Sequence, residues 1–151
     1  MPLRIRPGTP QDAERMAEIL GAIVARGGLT AVPGPVTAAT FAPLWASETP
    51  VIVNFCVSDG ELFGFQWVET HPALPPDTGD VATFVALDAH RRGVGRALFE
   101  ATRPAARAAG WRALNATVLA TNAGGLAYYR RMGFREVERD AARITHRLAL
   151  D

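Results

Sequence analysis

The chain has 151 residues, 48% of them hydrophobic, and its sixteen basic residues, all arginine, nearly balance fifteen acidic residues to leave a formal net charge of +1. This length suffices for one substantial core but not for two ordinary domains, so we predict a single domain over residues 1–151. The balanced charge, with no basic run longer than two residues, argues against nucleic-acid binding.

The sequence also argues against secretion, membrane insertion and metal binding. The opening segment MPLRIRPGTP has no apolar stretch typical of a signal peptide, and no segment approaches the roughly 18 apolar residues of a membrane span. The single cysteine, Cys56, excludes an internal disulfide, and its apolar surroundings VIVNFCV predict a buried thiol. His71, His90 and His146 lie far apart, without a second ligand at metal spacing. We expect a cytoplasmic protein that binds no metal and no membrane.

Hydrophobic periodicity in the first half of the chain predicts two helices and three strands. Met16, Ile19, Leu20 and Ile23 share one face of an amphipathic helix that ends at Gly27. In chain order the predicted elements are strand 3–7, helix 11–27, loop 27–35, helix 36–48 capped by Thr37, and a hairpin of strands 51–57 and 62–70.

The second half begins with a proline-rich loop. The predicted elements are loop 71–80, strand 81–87, helix 94–110, strand 112–120, helix 122–132 and strands 134–138 and 143–150. Pro104 lies inside the third helix, where it removes a bond to the carbonyl of Glu100 and is expected to kink or divide the helix. This order of elements indicates an α+β fold with a mixed sheet flanked by helices.

The segment AHRRGVGRAL, residues 89–98, places Gly93 and Gly95 where the third helix begins. Glycine costs a helix about 1 kcal/mol relative to alanine, so these positions indicate a special backbone requirement. A strand that enters such a turn brings unpaired N–H groups to the positive end of the helix dipole, which favours an anion. The chain has no lysine for a Walker A loop, and Leu98 replaces the third glycine of a dinucleotide fingerprint. Two interpretations of this segment are left: a binding site of the size of a pyrophosphate, or a turn with a structural role only.

A second group of residues falls in the segment NAGGLAYYRRMGF. Asn122, Gly125 and Tyr129 are spaced i, i+3 and i+7, so on a helix they lie on one face. Tyr128 is rotated by about 100° from that face and is expected to pack. A lone tyrosine at this position is typical of packing at a helix–sheet boundary. The presence of Asn122 and Gly125 on the same helix face as Tyr129 favours a functional site instead.

Together these two segments resemble the motifs of the GCN5-related N-acetyltransferases (GNAT family). The family's acetyl-CoA loop, Q/R-x-x-G-x-G/A, is matched by HRRGVG, with His90 in place of Gln or Arg. Its later motif, N-x-x-A-x-x-x-Y-x-x-x-G-F, is matched from Asn122 to Phe134, with Gly125 in place of alanine. The motifs span about residues 81–134, and the element order extends the resemblance to the whole chain.

The resemblance implies the family's fold and a branch within the family. The implied fold is α+β, a mixed, mostly antiparallel sheet of six to seven strands flanked by about four helices, with a splayed central strand pair. The opening RIRPGTPQDAERMAEIL and the loop GGLTA look most like the small-molecule branch, which includes phosphinothricin and amino-acid acetyltransferases.

The resemblance further implies acetyl-CoA as the cosubstrate. Its pantetheine arm would lie between the splayed strands and pair with strand 81–87, and its diphosphate would lie on the N–H groups of residues 91–96. A backbone N–H near Phe84 or Val85 would polarise the thioester carbonyl. The implied contacts are Phe84, Val85, Leu87, Arg91, Arg92, Gly93, Val94, Gly95, Arg96, Asn122 and Tyr129, with Arg130 a further candidate for a peripheral phosphate.

By the same resemblance Tyr129 is the acid that protonates the departing thiolate. A phenol with a pKa of about 10 lies within two units of a thiol at about 8.5, so the transfer is chemically reasonable. The base is not specified: Glu69, His71 and Asp80 flank the mouth of the predicted sheet, and we favour Glu69. Direct transfer is preferred over an acyl-enzyme because Cys56 is expected to be buried and remote.

The implied acceptor is the primary amine of a small molecule, such as an amino acid or a phosphinothricin-like compound. Leu29, Thr30, Trp67 and Glu69 are the implied contacts, because the loop after the first helix and the end of the third strand wall this pocket in the family. A peptide or protein amine is the alternative acceptor. The final strand 143–150 could pair across a two-fold axis in a homodimer, or with a strand of its own chain.

Two functions other than catalysis are open to such a chain. One is a non-catalytic module of the same fold that senses acyl-CoA or assists assembly, and the presence of Tyr129 and Asn122 favours the enzyme over it. The other is nucleic-acid binding through the arginines near residues 91 and 130, which the balanced charge disfavours.

Overall fold

The structure is a computed structural model that describes residues 2–151, and it contains a seven-stranded sheet in the order β1-β2-β3-β4-β5-β7-β6. Neighbouring strands are antiparallel except β4 and β5, which are parallel. The strands are β1 Arg4–Pro7, β2 Val51–Ser58, β3 Glu61–Glu69, β4 Thr78–Val85, β5 Ala113–Leu119, β6 Arg135–Arg139 and β7 Arg143–Ala149. The fold class expected from the sequence is confirmed.

Helices cover both faces of the sheet. They are α1 Ala13–Arg26, α2 Ala42–Ala46, α3 Val94–Ala108 and α4 Ala123–Arg131. On one side, here called the α1 face, Phe41 packs edge-on against Phe65 at 5.7 Å between ring centroids. On the other side, the α3 face, Gly64 lies directly under Val94, where an added Cβ would be 2.7 Å from Val94 Cγ1. The small residue in β3 therefore lets the first turn of α3 lie close to the sheet.

Several packing predictions are confirmed. Met16, Ile19, Leu20 and Ile23 are all buried on the inner face of α1, which ends at Gly27 as expected. Cys56 is fully buried, and it lines neither the cleft nor the pocket described below. Burial also raises the pKa of this thiol, which suits a core residue rather than a nucleophile.

The bounds of β4 differ from the prediction, which placed a loop at 71–80 and a strand at 81–87. The strand runs from Thr78 to Val85, and Leu87 lies in a 3-10 turn, Leu87–Ala89. The glycine and aspartate at the start of β4 are typical of a loop, but Thr78–Asp80 pair with β5. Gly79 is buried there beneath Trp111, whose indole ring would lie 3.1 Å from an added Cβ.

Two helix predictions also need correction. The predicted helix 36–48 is a 3-10 turn, Ala38–Phe41, followed by the short α2. Pro104 does not divide α3, which continues from Val94 to Ala108. Because Glu100 and Pro104 are both exposed, the carbonyl that proline leaves unpaired is on the solvent side of the helix.

The central strands β4 and β5 separate after a short contact. Only Thr78–Asp80 pair with β5, through Ala113–Asn115. β5 continues to Leu119 against β7, while residues 81–85 of β4 pair with β3 alone. The side of β4 that faces β5 therefore carries unpaired backbone groups, and the expected splayed strand pair is present.

The last strand is internal to the sheet. β7 pairs with β5 on one side and with β6 on the other, so both of its edges are used within the chain. Of the alternatives for strand 143–150, pairing within its own chain is the one observed.

Within residues 2–151, no helix combines the length and the apolarity that crossing a membrane requires. The same part of the chain contains no group of three His, Cys, Asp or Glu residues arranged to hold a metal ion.

Candidate active site

The turn before α3, residues 90–93, lines a cleft together with the first residues of the helix. Arg91 and Gly93 both adopt left-handed conformations, with φ of 66° and 80°, and α3 begins at Val94. The amide of Ala97 is the first that bonds back into the helix, to Gly93 O at 3.0 Å. The N–H groups of Val94, Gly95 and Arg96 therefore have no partner within the helix and form an anion site at its positive end.

The two glycines of this turn have different roles. Nothing lies within 4 Å of a Cβ added at Gly93, so its positive φ is what favours glycine there. At Gly95 an added Cβ would be 2.8 Å from Cε1 of Tyr128, whose hydroxyl donates to Gly95 O at 2.7 Å. Gly95 therefore makes room for a side chain of α4, a reason that the local sequence could not show.

Backbone direction in β4 follows from its pairing with β3. In an antiparallel pair, alternate residues direct both backbone groups to the partner. Ala86 N donates to Phe63 O at 2.8 Å, and Phe84 is opposite Phe65 in the same register. The backbone groups of Phe84 are therefore directed to β3, whereas those of Thr83 and Val85 face the gap. The imidazole of His90 confirms this direction, because its Nε2 lies 3.3 Å from Val85 O.

A cleft of about 1140 Å³ lies between this turn, β4 and α4. Most residues predicted to contact acetyl-CoA line it: Phe84, Val85, Leu87, Arg91, Gly93, Val94, Gly95, Arg96, Asn122 and Tyr129. Arg92 is not part of this lining, because its guanidinium lies over the ring of Phe63 at 4.8 Å. On α4 the lining arginine is Arg131 rather than Arg130, and Arg103 on α3 also lines the cleft.

The missed arginines have a simple helical signal. Arg103 follows Arg96 by seven residues on α3, and Arg131 follows Tyr128 by three on α4, so each pair shares a helix face. The predicted phosphate contacts were instead the arginines next to the glycines and Arg130.

Asn122 caps α4 and holds the loop that follows α1. It is the N-cap residue, not part of the helix as predicted, and its Oδ1 accepts from Gly125 N at 2.9 Å. Its Nδ2 donates to Leu29 O at 3.1 Å, and the neighbouring Thr121 donates to Gly28 O at 2.7 Å. Both ends of the Asn122 amide are therefore engaged within the protein.

Tyr129 lies on the inner side of α4, and its hydroxyl is 2.8 Å from Thr83 Oγ1 on β4. The side chain is 7% exposed. Burial is the main cause that raises the pKa of this phenol far above its ordinary value, and the neighbouring Tyr128 adds to it, while the hydrogen bond with Thr83 lowers it. The phenol is consequently protonated throughout the physiological pH range.

Tyr128 points to a different environment, as the sequence predicted. Its hydroxyl donates to Gly95 O at 2.7 Å and accepts from Gln66 Nε2 at 3.1 Å. Burial raises the pKa of Tyr128 to about 12. The residue lines the cleft, and its bond to Gly95 ties α4 to the first turn of α3.

A smaller pocket of about 230 Å³ adjoins the cleft. It contains three of the four predicted acceptor contacts, Leu29, Thr30 and Trp67. Tyr129 lines both the pocket and the cleft, so its phenol lies where the two meet. Arg143 of β7 and Thr117 of β5 also line the pocket, and the sequence gave no signal for them because their strands are distant in the chain.

Two of the candidate bases, Glu69 and Asp80, face each other across β3 and β4, where β3 ends and β4 begins. Asp80 lines the smaller pocket, whereas Glu69, its pairing partner in β3, is not part of the lining. Glu69 Oε2 accepts from the indole of Trp67 at 2.6 Å, and Asp80 Oδ1 accepts from Asn115 Nδ2 at 3.1 Å. Burial raises the pKa of both carboxyls above the ordinary value, opposed at Glu69 by the Trp67 bond and at Asp80 by the Asn115 bond.

Comparisons with known proteins agree with this geometry. The family model described as an acetyltransferase (GNAT) domain matches residues 51–136. A search of curated proteins finds no match. Among solved structures, the phosphinothricin acetyltransferase of Sinorhizobium meliloti in complex with acetyl-CoA is similar with a TM-score of 0.87 and 17% identity, covering 99% of this chain and 89% of its own.

Two further structures show the same fold. A GCN5-related N-acetyltransferase from Kribbella flavida has a TM-score of 0.84 and 23% identity, covering 98% of each chain. The Salmonella typhimurium protein yncA with its cofactor acetyl-CoA has a TM-score of 0.86 and 18% identity, covering 99% of this chain and 94% of its own.

The chain belongs to the GNAT acetyltransferase family, since the family model matches more than half of it. The family model makes it an N-acetyltransferase of this family.

Asn122 generates a prediction that separates its two roles. Asn122→Ala removes the cap and the loop contact and should lower the free energy of unfolding by about 1 to 2 kcal/mol. Asn122→Asp keeps a cap acceptor but loses the donor to Leu29 O, so most of the stability should be kept. Urea unfolding measures stability, and amide hydrogen exchange at residues 28–32 reports on the loop. Unchanged loop protection in Asn122→Asp would contradict the assigned contact.

Proposed function

We propose that the protein transfers acetyl from acetyl-CoA directly to the primary amine of a small molecule. The observation that carries this proposal is the position of Tyr129 where a long cleft meets a small pocket. A donor in the cleft and an acceptor in the pocket would approach each other at this phenol. Such an arrangement supplies the proximity on which direct transfer depends.

The cleft fits the chemistry of acetyl-CoA. The N–H groups of Val94, Gly95 and Arg96 would bind the diphosphate, with the guanidiniums of Arg103 and Arg131 near the cleft wall for further phosphate charge. Backbone groups on the side of β4 that faces the gap would pair with the amides of the pantetheine arm, as an added strand does. The space left by β5 is what admits this arm.

Polarisation of the thioester carbonyl falls to Val85. The two backbone candidates from the sequence were Phe84 and Val85, and only Val85 directs its N–H into the gap, because Phe84 is bonded to β3. A fixed donor at the position where negative charge develops stabilises the transition state more than the ground state.

We propose Tyr129 as the acid, because its phenol is protonated, buried and at the junction. It would give its proton to the sulfur of the departing coenzyme A as the C–S bond breaks. Cys56 is buried in the core elsewhere, which supports direct transfer without an acyl-enzyme.

For the base, the geometry favours Asp80 over Glu69. Asp80 lines the acceptor pocket together with Tyr129, while Glu69 holds the Trp67 indole beside it. Asp80 would accept the proton from the acceptor ammonium, directly or through water. Its raised pKa brings it closer to the amine and improves it as a base.

The pocket supports a small acceptor. Its volume of about 230 Å³ suits a molecule of amino-acid size, and it has a carboxylate at Asp80 and a guanidinium at Arg143. This pair of opposite charges fits an amine that also carries an acidic group, as phosphinothricin does. We propose that Leu29, Thr30 and Trp67 form the wall of the pocket around the acceptor. We also propose that the chain is a single catalytic domain and that it works in the cytoplasm.

A matched pair of variants tests the anion site. Proline is tolerated in the first turn of a helix and removes one N–H, so Arg96→Pro deletes a proposed diphosphate donor. Arg96→Ala removes the same guanidinium and keeps the N–H. Calorimetric titration with acetyl-CoA should give a Kd at least about 10-fold weaker for the proline variant than for alanine, the loss expected for a bond to a charged group. Equal affinities would place the diphosphate elsewhere.

The base is tested by pH profiles of thiol release from acetyl-CoA, with phosphinothricin and the L-amino acids as acceptors. Asp80→Asn should lower kcat by about 100-fold or more, the range of general-base catalysis. The wild-type kcat/KM should fall as the pH drops below the raised pKa of Asp80, and this acidic limb should be absent in Asp80→Asn. Glu69→Gln is the control and should keep the limb. Loss of the limb in Glu69→Gln alone would assign the base to Glu69 instead.

A further inference from the structure

A chain of polar side chains leads from the middle of β3 to the phenol of Tyr129. Gln66 of β3 is fully buried, and its Nε2 donates to the half-buried Thr83 Oγ1 at 2.8 Å. Thr83 Oγ1 lies in turn 2.8 Å from the Tyr129 hydroxyl. A polar side chain buried as deeply as Gln66 is costly unless the protein supplies partners, and hydroxyls of β4 and α4 supply them to its amide nitrogen.

The directions of these hydrogen bonds follow from counting protons. The single proton of Tyr128 is donated to Gly95 O at 2.7 Å, so this hydroxyl can only accept from Gln66. Turning the Gln66 amide around would present its oxygen to Tyr128, which has no proton left to give. These protons favour the observed orientation, in which Gln66 donates to both Tyr128 and Thr83 and its buried Oε1 has no hydrogen-bond partner among the residues that the structure describes.

The oxygen of Thr83 accepts one bond from Gln66. In the 2.8 Å contact between Thr83 and Tyr129 either hydroxyl can be the donor, and Thr83 has a proton that it can give there. When Thr83 donates, the phenol oxygen is the acceptor, and the phenol proton is free to point away from β4 toward the junction of cleft and pocket. The same donor is in place when the oxygen becomes negatively charged.

We propose that Thr83, oriented by Gln66, is a positioning residue for the reaction: it directs the proton of Tyr129 at the leaving sulfur and donates a hydrogen bond to the phenolate that forms. This inference rests on the proposed role of Tyr129 as the acid. It adds two residues outside the motifs, one on β3 and one on β4, that no sequence pattern assigned.

The step balances as follows. The acceptor ammonium first loses one proton to the base. The resulting amine nitrogen forms a bond to the acetyl carbon, the C–S bond breaks, and the sulfur takes the phenol proton of Tyr129. The nitrogen loses its second proton to the base or to solvent, Tyr129 regains one from solvent, and one proton is released overall. Because Tyr129 is buried, its phenolate is costly, and the donor at Thr83 offsets part of that cost.

A double-mutant cycle tests the inference, with thiol release from acetyl-CoA as the readout and phosphinothricin or the fastest L-amino acid as acceptor. Thr83→Val keeps the shape and removes the hydroxyl, and it should lower kcat by about 10- to 100-fold, the range for a bond to a charged group. The Kd for acetyl-CoA, from calorimetry, should change less than about threefold. Thr83→Ser restores the hydroxyl and should recover most of the lost rate.

Repeating Thr83→Val in a Tyr129→Phe background distinguishes positioning from structure. If Thr83 acts through the phenol, removing its hydroxyl should have little further effect once the phenol is absent. An equal loss of kcat in both backgrounds, no loss in the wild-type background, or failure of Thr83→Ser to recover rate would overturn the inference. The Tyr129→Phe arm is read separately: full turnover there would overturn the acid role itself, and with it the role of Thr83.

Discussion

The unpaired edge of β4 is the constraint on which the rest of the site depends. β4 leaves β5 after Asp80, and residues 81–85 then carry backbone groups with no strand beside them. Unpaired backbone groups along a strand edge can pair with an extended ligand. Here the open edge, the gap and the first turn of α3 face the same cleft. In the proposed function, this single departure from regular pairing would supply the binding surface for a long, amide-containing cosubstrate.

The helices of the α3 face are fitted to that gap. Gly64 lets α3 approach β3, and Gly95 lets Tyr128 of α4 lie against the first turn of α3. Tyr128 then fixes the amide of Gln66, which fixes Thr83 beside the phenol of Tyr129. The two adjacent tyrosines therefore differ in role: Tyr128 holds the helices together, and Tyr129 lies where the proposed donor and acceptor would meet. Their different hydrogen-bond partners produce this difference.

Much of this was predictable from the sequence because the informative signals are local. The glycine turn before α3, the face of α1 and the spacing from Asn122 to Tyr129 all depend on neighbours within two helical turns. What the sequence could not show depends on contacts across the sheet. Gly79 looks like a loop residue until Trp111 covers it, and Asp80 gains its place beside the acceptor pocket only through the pairing of β4 with β5. Gly95 is a glycine because of Tyr128 on α4, 33 residues further along the chain, whose ring leaves no room for a Cβ.

The most direct test of the central claim is a crystal structure of the protein with acetyl-CoA bound. The pantetheine amides should pair with the side of β4 that faces the gap between β4 and β5, the diphosphate should lie on the N–H groups of residues 94–96, and the thioester should be next to the phenol of Tyr129. A cosubstrate bound outside this gap, or a thioester remote from Tyr129, would contradict the claim that the open edge of β4 builds the active site.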